Sequence, residues 1–372
     1  MENKKIKILQ FICSTGFYGA ERWVLALASH LPTDTTESLL ATTLEDDSRD
    51  LELVRQFKQK CGNTFEIPMK HKFDISVVDK LVALIKRENI DIIHTHGYKS
   101  DILGVWAARK AGIPCVVTPH GFENAKDIKL RTFIWLGCQA MKYGDAIVPL
   151  STQLMKDMHR IGVRKDKLHY IQNGVDLSEV EAVRTDDSVP AETEKLRVGF
   201  IGQMISRKNI DDILTIFDDL HQEGMPIELL FLGDGDDRAR LEEKAATLAS
   251  KQDIHFLGFR DDRLALLKTF DLFVMTSTLE GVPRCLMEAC AMGTPVAAYQ
   301  IPGIDQLITH NDTGLLAPLG ERETLKGYWR EMLSDTIKAR QYGLNAKAYV
   351  EEHFSAQRMA NEYMVLFKDL LR

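Results

Sequence analysis

The sequence lacks several features that mark particular protein classes. No apolar run approaches the roughly 20 residues that span a bilayer, and no internal repeat of solenoid period is present. The six cysteines contain no CxxC pair and no metal-ligand spacing, which disfavours the common zinc motifs. The opening stretch MENKKIKILQFIC has only a short apolar segment, so we interpret it as a first strand rather than a signal peptide. These absences predict a cytoplasmic protein with reduced thiols.

A strong positive charge is also missing. The formal net charge is -7, with 26 Lys and Arg against 23 Asp and Glu in residues 1–185 and 21 against 31 in the remainder. Nucleic-acid binding usually needs a strongly basic face, so we expect no nucleic acid as a partner. With 372 residues, of which 45% are hydrophobic and 27% charged, the chain is long enough for about two soluble domains.

What the sequence does contain is a repeated alternation of short apolar runs with helical patterns. The first set of runs is IKILQFIC, SLLATTL, DIIHTH, CVVTPH, AIVPLS and LHYIQN, and the second is RVGFIG, IELLFLG, IHFLGF, LFVMTS and PVAAYQ. Strands that alternate with helices predict βαβ units and parallel sheets. We therefore expect an α/β protein of two doubly wound, Rossmann-like domains that face each other across a cleft, with ligands at the carboxyl ends of the strands.

The domain limits follow from a change in composition. Ser178 to Lys195 is polar, contains a proline and lacks apolar periodicity, so we predict a linker there. The expected organisation is a first Rossmann-like domain in residues 1–185 and a second in residues 186–353. The last stretch, FSAQRMANEYMVLFKDLLR, has the spacing of an amphipathic helix, and we expect residues 354–372 to pack back on the first domain.

The loop after the first predicted strand, CSTGFYGAERW, has two glycines in the region where nucleotide folds hold phosphate. The dinucleotide fingerprint GxGxxG needs glycine at positions 14, 16 and 19, but only Gly16 and Gly19 are present because position 14 is Ser14. The missing glycine is the one that permits the tight turn. This argues against a nicotinamide oxidoreductase, while an ordinary strand-to-helix turn remains an alternative.

The segment TSTLEGVPRCLMEACAMGTPVAAY carries two glutamates, Glu280 and Glu288, with seven residues between them. Pro283 suits the first turn of a helix that begins between the two. Exposed amides at a helix start favour an anion such as a diphosphate, and carboxylates accept hydrogen bonds from hydroxyls. A sugar nucleotide offers both groups. The alternative is two unrelated surface glutamates around a buried stretch.

This arrangement resembles the E-x7-E motif of retaining glycosyltransferases of family four, which have the two-domain GT-B fold. Five further segments are similar to motifs of that family, and together with the first they cover nearly the whole chain. They are YGAERWVLALASHL (18–31), TPHGF (118–122), IQNGVDLSEV (171–180), GFIGQMISRKNIDDIL (199–214) and FLGDGDDRARLE (231–242). Six matches in the family's order make the resemblance specific.

The resemblance implies roles for individual residues. Glu280 would contact hydroxyls of the donor sugar, Glu288 would accept from the nucleotide ribose, and Lys208 would neutralise the departing diphosphate. His120 would face the reacting sugar from the first domain. Other residues are implied near the donor: Gly16 and Gly19, Gly233, Asp234 and Gly235, and the backbone of Gly281, Val282, Pro283 and Arg284. The resemblance also implies that residues 1–185 form the acceptor-side domain and residues 186–353 the nucleotide-sugar-binding domain. The implied donor is a nucleotide diphosphate sugar, and no cofactor or metal is expected.

The sequence departs from the family pattern at three positions. Gln203 stands where the family has a phosphate-binding arginine, and a neutral amide cannot supply that charge. Either Arg207 reaches in instead, or diphosphate departure has less help, in which case the chain is a catalytically weak GT-B scaffold or partner subunit. Tyr18 replaces the first glycine of a usual pair, and Gln306 stands where a glutamate is common.

Two patterns superficially suggest a metal. Asp234-Gly235-Asp236 resembles the DxD site of another transferase fold, but it lies in a glycine turn before a helix, where we predict Asp236 as the N-cap. His94 and His96 alternate on a predicted strand, and we expect them to point to opposite faces. Neither pattern therefore predicts a metal site.

The implied reaction transfers a sugar to an acceptor hydroxyl with retention at the anomeric carbon, by same-face attack in a site from which water is excluded. The acceptor would be a glycan or a lipid-linked sugar in the synthesis of a cell-surface polysaccharide or lipopolysaccharide. The segment Lys126 to Gly144 combines aromatic and basic residues. It is either a helix that lies peripherally on the cytoplasmic face of the inner membrane or an ordinary amphipathic helix.

Overall fold

The computed structural model describes residues 4–14, 16–45, 51–71, 74–121, 128–183 and 194–372, with the backbone alone at 128–130. The chain forms two compact units. Unit 1 comprises Met1–Gly174 together with Ala356–Arg372, and unit 2 comprises Val175–Ser355. No helix in the described ranges is long and apolar enough to cross a membrane.

Unit 1 is built on a parallel sheet of six strands in the order β3-β2-β1-β4-β5-β6. The strands are rich in β-branched residues, which fit a buried pleated surface. Its elements in chain order are β1 (Ile6–Ile12), α1 (Gly19–His30), β2 (Thr36–Leu44), α2 (Glu52–Lys60), β3 (Thr64–Pro68), α3 (Ser76–Glu88), β4 (Ile92–Thr95), α4 (Tyr98–Ala111), β5 (Cys115–Val117), α5 (Ile128–Met141), β6 (Ala146–Ile147) and α6 (Thr152–Ile161).

Unit 2 repeats this plan with the strand order β12-β11-β10-β7-β8-β9, again parallel throughout. Its elements are α7 (Leu177–Glu181), β7 (Leu196–Ile201), α8 (Ile210–Gln222), β8 (Ile227–Leu232), α9 (Arg238–Ala246), β9 (Ile254–Gly258), α10 (Arg263–Leu267), β10 (Leu272–Met275), α11 (Arg284–Met292), β11 (Val296–Gln300), β12 (Leu315–Pro318), α12 (Arg322–Ser334) and α13 (Thr336–His353). The expected α/β class of two doubly wound domains is confirmed.

The C-terminal helix α14 (Ala356–Leu370) belongs to unit 1. Tyr363 and Phe367 are buried in the same apolar cluster as Val24 and Leu27 of α1. This cluster covers one face of the sheet, and a second cluster, built around α3 and α4, covers the other. The strands are therefore buried on both faces, as parallel strands in doubly wound folds usually are.

The boundary between the units differs from the predicted limit at residue 185. The chain passes into unit 2 at Val175, and it returns to unit 1 after Ser355. The predicted linker begins in a helix, because Leu177 and Val180 pack against the core of unit 2. Val175 is fully buried there, and its amide donates to the Phe354 carbonyl at 2.7 Å. Residues 184–193 of that linker lie outside the described residues.

Three strand predictions also differ from the structure. β3 and β12 were not predicted, since β3 is a half-exposed edge strand and β12 is a four-residue run that ends in proline. The predicted strand LHYIQN makes only one isolated bridge, between Leu168 and Ile147. Short runs at a sheet edge have too little apolar periodicity to be identified.

Candidate active site

The candidate site of unit 2 is made by the loops that follow four of its strands. Parallel strands end at one edge of a sheet, so the segments after β7, β8, β10 and β11 come together there. Thr276 joins two of these segments, because its hydroxyl donates to the carbonyls of Lys208 and Asn209 at 3.0 and 2.8 Å. The Thr278 amide donates to the Arg207 carbonyl at 2.8 Å. Sequence reasoning missed both threonines.

Glu280 and Lys208 form a buried ion pair within this loop cluster. The Lys208 ammonium donates to Oε1 of Glu280, and the two side chains are only 8% and 6% exposed. Arg207 is half-exposed and contacts Oε2 of the same carboxylate at 3.3 Å and the Leu279 carbonyl at 3.1 Å. The structure therefore gathers one carboxylate and two cations at the carboxyl end of the sheet.

Backbone contacts fix the loops around this ion pair. At Gly303, with φ of +99°, a Cβ would lie 1.5 Å from the Gly281 carbonyl oxygen. At Gly233 and Gly235, a Cβ would lie 2.0 Å from the Gly202 oxygen and 2.5 Å from the Met204 oxygen. These glycines are therefore required by close approach of one loop to another. By contrast, a Cβ at Gly281 would meet open space, so its α-carbon faces an accessible volume.

Glu288 lies one turn inside α11, and its side chain is 2% exposed. One carboxylate oxygen, Oε1, accepts from Arg263 at 2.8 Å and from Arg284 at 2.7 Å. Burial alone would raise the pKa of Glu288, but the charges and hydrogen bonds of the two arginines outweigh burial and leave its pKa below the ordinary value. The carboxylate is thus held ionised although it is buried.

Two residues of this network were not predicted from the sequence. Arg263 is the first residue of α10, and Glu179 lies in α7, where it accepts from Arg284 at 3.0 Å. Both are far from Glu288 along the chain, and no local pattern marks them. The one available signal was the proximity of Glu179 to the NGVD segment. Pro283 takes the N-cap position of α11 in an extended conformation, one residue before the predicted first turn.

The residues after β7 and β8 differ in part from expectation. Gln203 is exposed. The carboxylate of Asp234 accepts from the Gly235 amide at 2.8 Å and from Arg238 at 3.1 Å. The prediction that Asp236 caps α9 is wrong, because the N-cap position belongs to Asp237 and no side-chain cap bond is formed there.

In unit 1, the loop after β1 is fastened by Glu21. Its carboxylate accepts from the Ser14 hydroxyl at 2.8 Å and from the Tyr18 amide at 2.9 Å, which secures the start of α1. The Tyr18 ring lies over Gly16, where a Cβ would come within 2.3 Å of it. A larger residue at position 16 would therefore displace the Tyr18 ring, which is 55% exposed. Gly19 is the first residue of α1 and has open space around its α-carbon.

His120 follows β5 and lies in a cluster of imidazoles. The expectation that His94 and His96 point to opposite faces is wrong, since their ring centroids are 4.2 Å apart. Residues two apart on a strand share a face, and His96 follows the last residue of β4 directly. The His120 Nε2 atom lies 3.3 Å from His96 Nδ1. Burial lowers the pKa of His120 to about 4, so its imidazole is neutral at pH 7.

Comparison with known proteins identifies the family to which the chain belongs. The family profile described as "Glycosyl transferases group 1" matches residues 184–349, and that of "Glycosyltransferase Family 4" matches residues 17–179. The UDP-Gal:alpha-D-GlcNAc-diphosphoundecaprenol alpha-1,3-galactosyltransferase of Escherichia coli is 31% identical over 265 residues, which covers 67% of each chain. The chain belongs to glycosyltransferase family 4. It is a glycosyltransferase, as the sequence motifs predicted, and not a nicotinamide oxidoreductase.

Two further similarities extend over most of the glycosyltransferase. The N-acetyl-alpha-D-glucosaminyl L-malate synthase of Bacillus anthracis is 24% identical over 327 residues, which covers 85% of this chain and 84% of the synthase. The crystal structure of HepE from Anabaena in complex with UDP superposes with a TM-score of 0.81 at 20% identity. The superposition covers 98% of this chain and 100% of HepE, so the two proteins share one fold.

The predicted site residues of the glycosyltransferase divide between its two units. Unit 1 contains Gly16, Gly19 and His120. Unit 2 contains the others, at the carboxyl end of its sheet: Gln203, Arg207, Lys208, Gly233, Asp234, Gly235, Glu280, Gly281, Val282, Pro283, Arg284 and Glu288. Within the part of the chain that the structure describes, no group of three or more His, Cys, Asp or Glu side chains is arranged to hold a metal ion.

The segment Lys126 to Gly144 of the glycosyltransferase is described in part. Lys126 lies outside the described residues, and the side chain of Lys129 is likewise not described. In α5, Trp135 and Leu136 are 60% and 42% exposed. Gly137 packs tightly on the neighbouring α4, where a Cβ would lie 2.9 Å from Tyr98. One face of α5 is therefore buried against unit 1 while the other presents large apolar side chains to solvent.

Proposed function

We propose that the glycosyltransferase moves a sugar from a nucleotide diphosphate sugar to an acceptor hydroxyl with retention at the anomeric carbon. The observation that carries this proposal is the buried Lys208 and Glu280 pair beside the start of α11. A lysine ammonium and the unpaired amides of a helix N-terminus both attract the oxygens of a diphosphate. A carboxylate in the same place accepts hydrogen bonds from sugar hydroxyls.

Glu288 supports a nucleotide donor. Both arginines hold its Oε1 atom, and Oε2 has no hydrogen-bond partner among the described residues. An ionised oxygen that is held in place accepts well from a ribose hydroxyl, because a charge-assisted hydrogen bond is stronger than a neutral one. The complexes of HepE with UDP and the UDP-Gal name of the E. coli relative are consistent with a uridine nucleotide.

We propose retention by same-face attack because of the hydrogen bonds that the Glu280 carboxylate makes. Its two oxygens are engaged by Lys208 and Arg207, and a carboxylate that accepts hydrogen bonds from two cations is a weak nucleophile, because attack would have to break those charge-assisted bonds. In the proposed step, the bond between the anomeric carbon and the β-phosphate oxygen breaks as the acceptor oxygen bonds to that carbon. The acceptor proton passes to the departing phosphate oxygen.

Arg207 takes the place of the missing family arginine in this proposal. Gln203 is neutral and exposed, whereas the Arg207 guanidinium already lies at Glu280, beside Lys208. Two cations that are positioned before the reaction stabilise charge on a leaving diphosphate. On this basis we propose that no divalent metal is required, and activity is expected to be unchanged in excess EDTA.

The proposed acceptor is a lipid-linked glycan in the synthesis of a cell-surface polysaccharide or lipopolysaccharide. The name of the E. coli relative gives a diphosphoundecaprenol-linked sugar as its acceptor. Trp135 and Leu136 on the exposed face of α5 would support peripheral contact with the cytoplasmic face of a membrane, since aromatic side chains favour that interface. Co-sedimentation with anionic vesicles that falls on Trp135→Gln supports this contact, and equal recovery of both proteins contradicts it.

The first experiment is a thermal-shift screen against UDP, GDP and ADP sugars, with and without EDTA. At a ligand concentration about 100-fold above Kd, the stabilisation is about 2.7 kcal/mol, which corresponds to a shift of about 5–10 °C for a unit of this size. Glu288→Ala should lose the shift. Glu331→Ala, which removes a partly exposed glutamate paired with Lys338, should keep it.

Turnover of the donor found in this screen tests the chemistry. Lys208→Met is expected to lower kcat by roughly 10²- to 10³-fold, the usual effect of removing one preorganised charge-stabilising group. NMR of the product gives the anomeric configuration directly. An inverted product, or full activity of Lys208→Met, contradicts the proposed mechanism, while absence of any shift or turnover with every sugar nucleotide contradicts the proposed function.

A further inference from the structure

Three imidazoles of unit 1 surround Trp23. The Trp23 ring centroid lies 5.1 Å from His120, 5.3 Å from His96 and 5.9 Å from His94. The His94 and His120 rings meet the indole in edge-to-face geometry, which aromatic pairs favour. Packing therefore fixes the planes of the rings, and hydrogen bonds separate them into two chains.

The first chain starts at His94 and ends inside the core. His94 Nε2 lies 2.8 Å from the Thr118 hydroxyl, which lies 2.8 Å from the hydroxyl of Tyr363 on α14. Burial places the whole chain away from solvent. This first chain makes no hydrogen bond to His120 among the described residues, so it serves as an internal comparison for the second.

The second chain runs from β1 to His120. Gln10 on β1 is fully buried, and its Oε1 atom lies 2.9 Å from His96 Nε2. His96 Nδ1 in turn lies 3.3 Å from His120 Nε2. β1, β4 and β5 are neighbours in the sheet, so the residues of this chain come from three adjacent strands or from the turns directly after them.

The donor and acceptor roles in the second chain follow from the amide oxygen of Gln10. Burial lowers the pKa of both His96 and His120, so each ring is neutral, with one N–H and one lone pair. A carbonyl oxygen only accepts, so His96 Nε2 carries the hydrogen and His96 Nδ1 accepts. His120 Nε2 must then donate, which leaves the lone pair of His120 on Nδ1. The one hydrogen bond that His120 makes within the described residues is through Nε2, and His120 is only partly buried.

We infer that Gln10 and His96 are positioning residues that hold His120 in its Nε2–H tautomer, so that Nδ1 accepts a hydrogen bond from a hydroxyl of the substrate. The inference rests on the proposed function and on the contact between His120 and the reacting sugar that the family resemblance implies. The tautomer itself is a property of the free protein. It can therefore be measured without any assay of sugar transfer.

The experiment is long-range ¹H–¹⁵N NMR of protein labelled with ¹⁵N-histidine, in which the two neutral tautomers give distinct nitrogen shifts. The chain has eleven histidines, and His120→Gln assigns the resonances of His120. The parent protein is expected to show His120 as the Nε2–H form. Gln10→Met, which removes the accepting oxygen, should give averaged shifts from both tautomers.

Tyr363→Phe is the matched control, because it removes one buried hydroxyl from the first chain and nothing from the second. It should leave the His120 shifts unchanged. With a sugar nucleotide that turns over, Gln10→Met is expected to lose roughly tenfold in kcat/KM, about the effect of one hydrogen bond.

An Nδ1–H form of His120 in the parent protein would overturn the inference, because it requires the Gln10 amide to donate rather than accept. Equal tautomer patterns in the parent and in Gln10→Met would overturn it too. Should Gln10→Met not fold, the spectrum of the parent protein still decides the tautomer. Failure of the proposed function would differ from these results, since turnover would then be absent in the parent protein as well.

Discussion

Replacing Arg263 by methionine removes one of the two cations that hold Glu288 ionised inside unit 2. Methionine keeps much of the volume of the arginine stem, so the change acts mainly on charge and hydrogen bonding. Arg263 donates to Glu288 Oε1 at 2.8 Å and lies 3.6 Å from Glu179. Arg284 remains on the same oxygen in the variant.

The expected loss of unfolding free energy depends on the partners that Glu288 keeps. Complete loss of the partners of a buried charge costs about 3–5 kcal/mol, and a hydrogen bond to a charged group contributes about 1.5–3 kcal/mol. Since one arginine remains, the free energy of unfolding of unit 2 should fall by about 2–3 kcal/mol at pH 7.5. Arg260→Met, which removes the more exposed ion pair with Asp262, should cost under about 1 kcal/mol.

The cost should also depend on pH. The folded-state pKa of Glu288 lies below its ordinary value of 4.5, so its ion pairs contribute stability above that value and lose it as pH falls through the folded pKa. In Arg263→Met, only Arg284 remains to counter the effect of burial, so the pKa of Glu288 should rise. The variant should therefore be most destabilised near neutral pH, and the difference should shrink as Glu288 becomes protonated towards pH 4.

Urea unfolding monitored by ¹⁹F NMR of fluorotryptophan tests this prediction. Trp329 is buried in unit 2, while the other three tryptophans lie in unit 1, so its resonance reports on unit 2 alone. A double-mutant cycle with Glu288→Gln isolates the coupling between the two side chains. A cost below about 1 kcal/mol at pH 7.5, or the same cost in the Glu288→Gln background, would refute the reasoning.

Three other changes test separate parts of the fold. Gly303→Ala places a Cβ 1.5 Å from the Gly281 oxygen, and the free energy of unfolding in urea should fall by more than about 3 kcal/mol. Its control is Gly320→Ala, at φ +84° in open space, which should lower that free energy by about 1 kcal/mol. Equal losses would contradict the close-approach argument. Burial raises the pKa of Asp101 from 3.8 to about 8, so the stability it contributes is complete below pH 3.8 and is lost as pH rises through about 8. Tm of Asp101→Asn should fall less than that of the parent between pH 5 and pH 8, and parallel Tm curves would contradict the raised pKa. Glu21→Ala removes both bonds that secure the start of α1 and should cost about 1–2 kcal/mol, with faster amide exchange in the loop before α1; unchanged exchange there would contradict that role.

The local features of the site were readable from the sequence because their causes are local. Glu280 precedes α11 and Glu288 lies within it, as predicted, because Pro283 begins the helix and Gly293, in the left-handed region, ends it. The buried runs of the central strands were equally clear, since parallel strands covered on both faces read as continuous apolar segments. The sequence motifs were enough to identify the family.

Contacts between distant segments were not readable in this way. Arg263 contacts Glu288 directly, and Glu179 contacts both arginines that hold Glu288, although Arg263 and Glu179 lie in other elements of unit 2. Gln10 is linked to His120 by hydrogen bonds through His96. The mistaken placement of His94 and His96 on opposite faces was an error of strand periodicity, which the 4.2 Å separation of their rings corrects.

Sequence alone therefore determined the class of fold, the family and the order of the motifs along the chain, because apolar periodicity, helix ends and glycine turns act over a few residues. Tertiary structure decided which charges neutralise Glu288, where unit 2 begins, and which groups set the protonation of the imidazoles. Those properties depend on desolvation and on hydrogen bonds between residues that only folding brings within about 3 Å of each other.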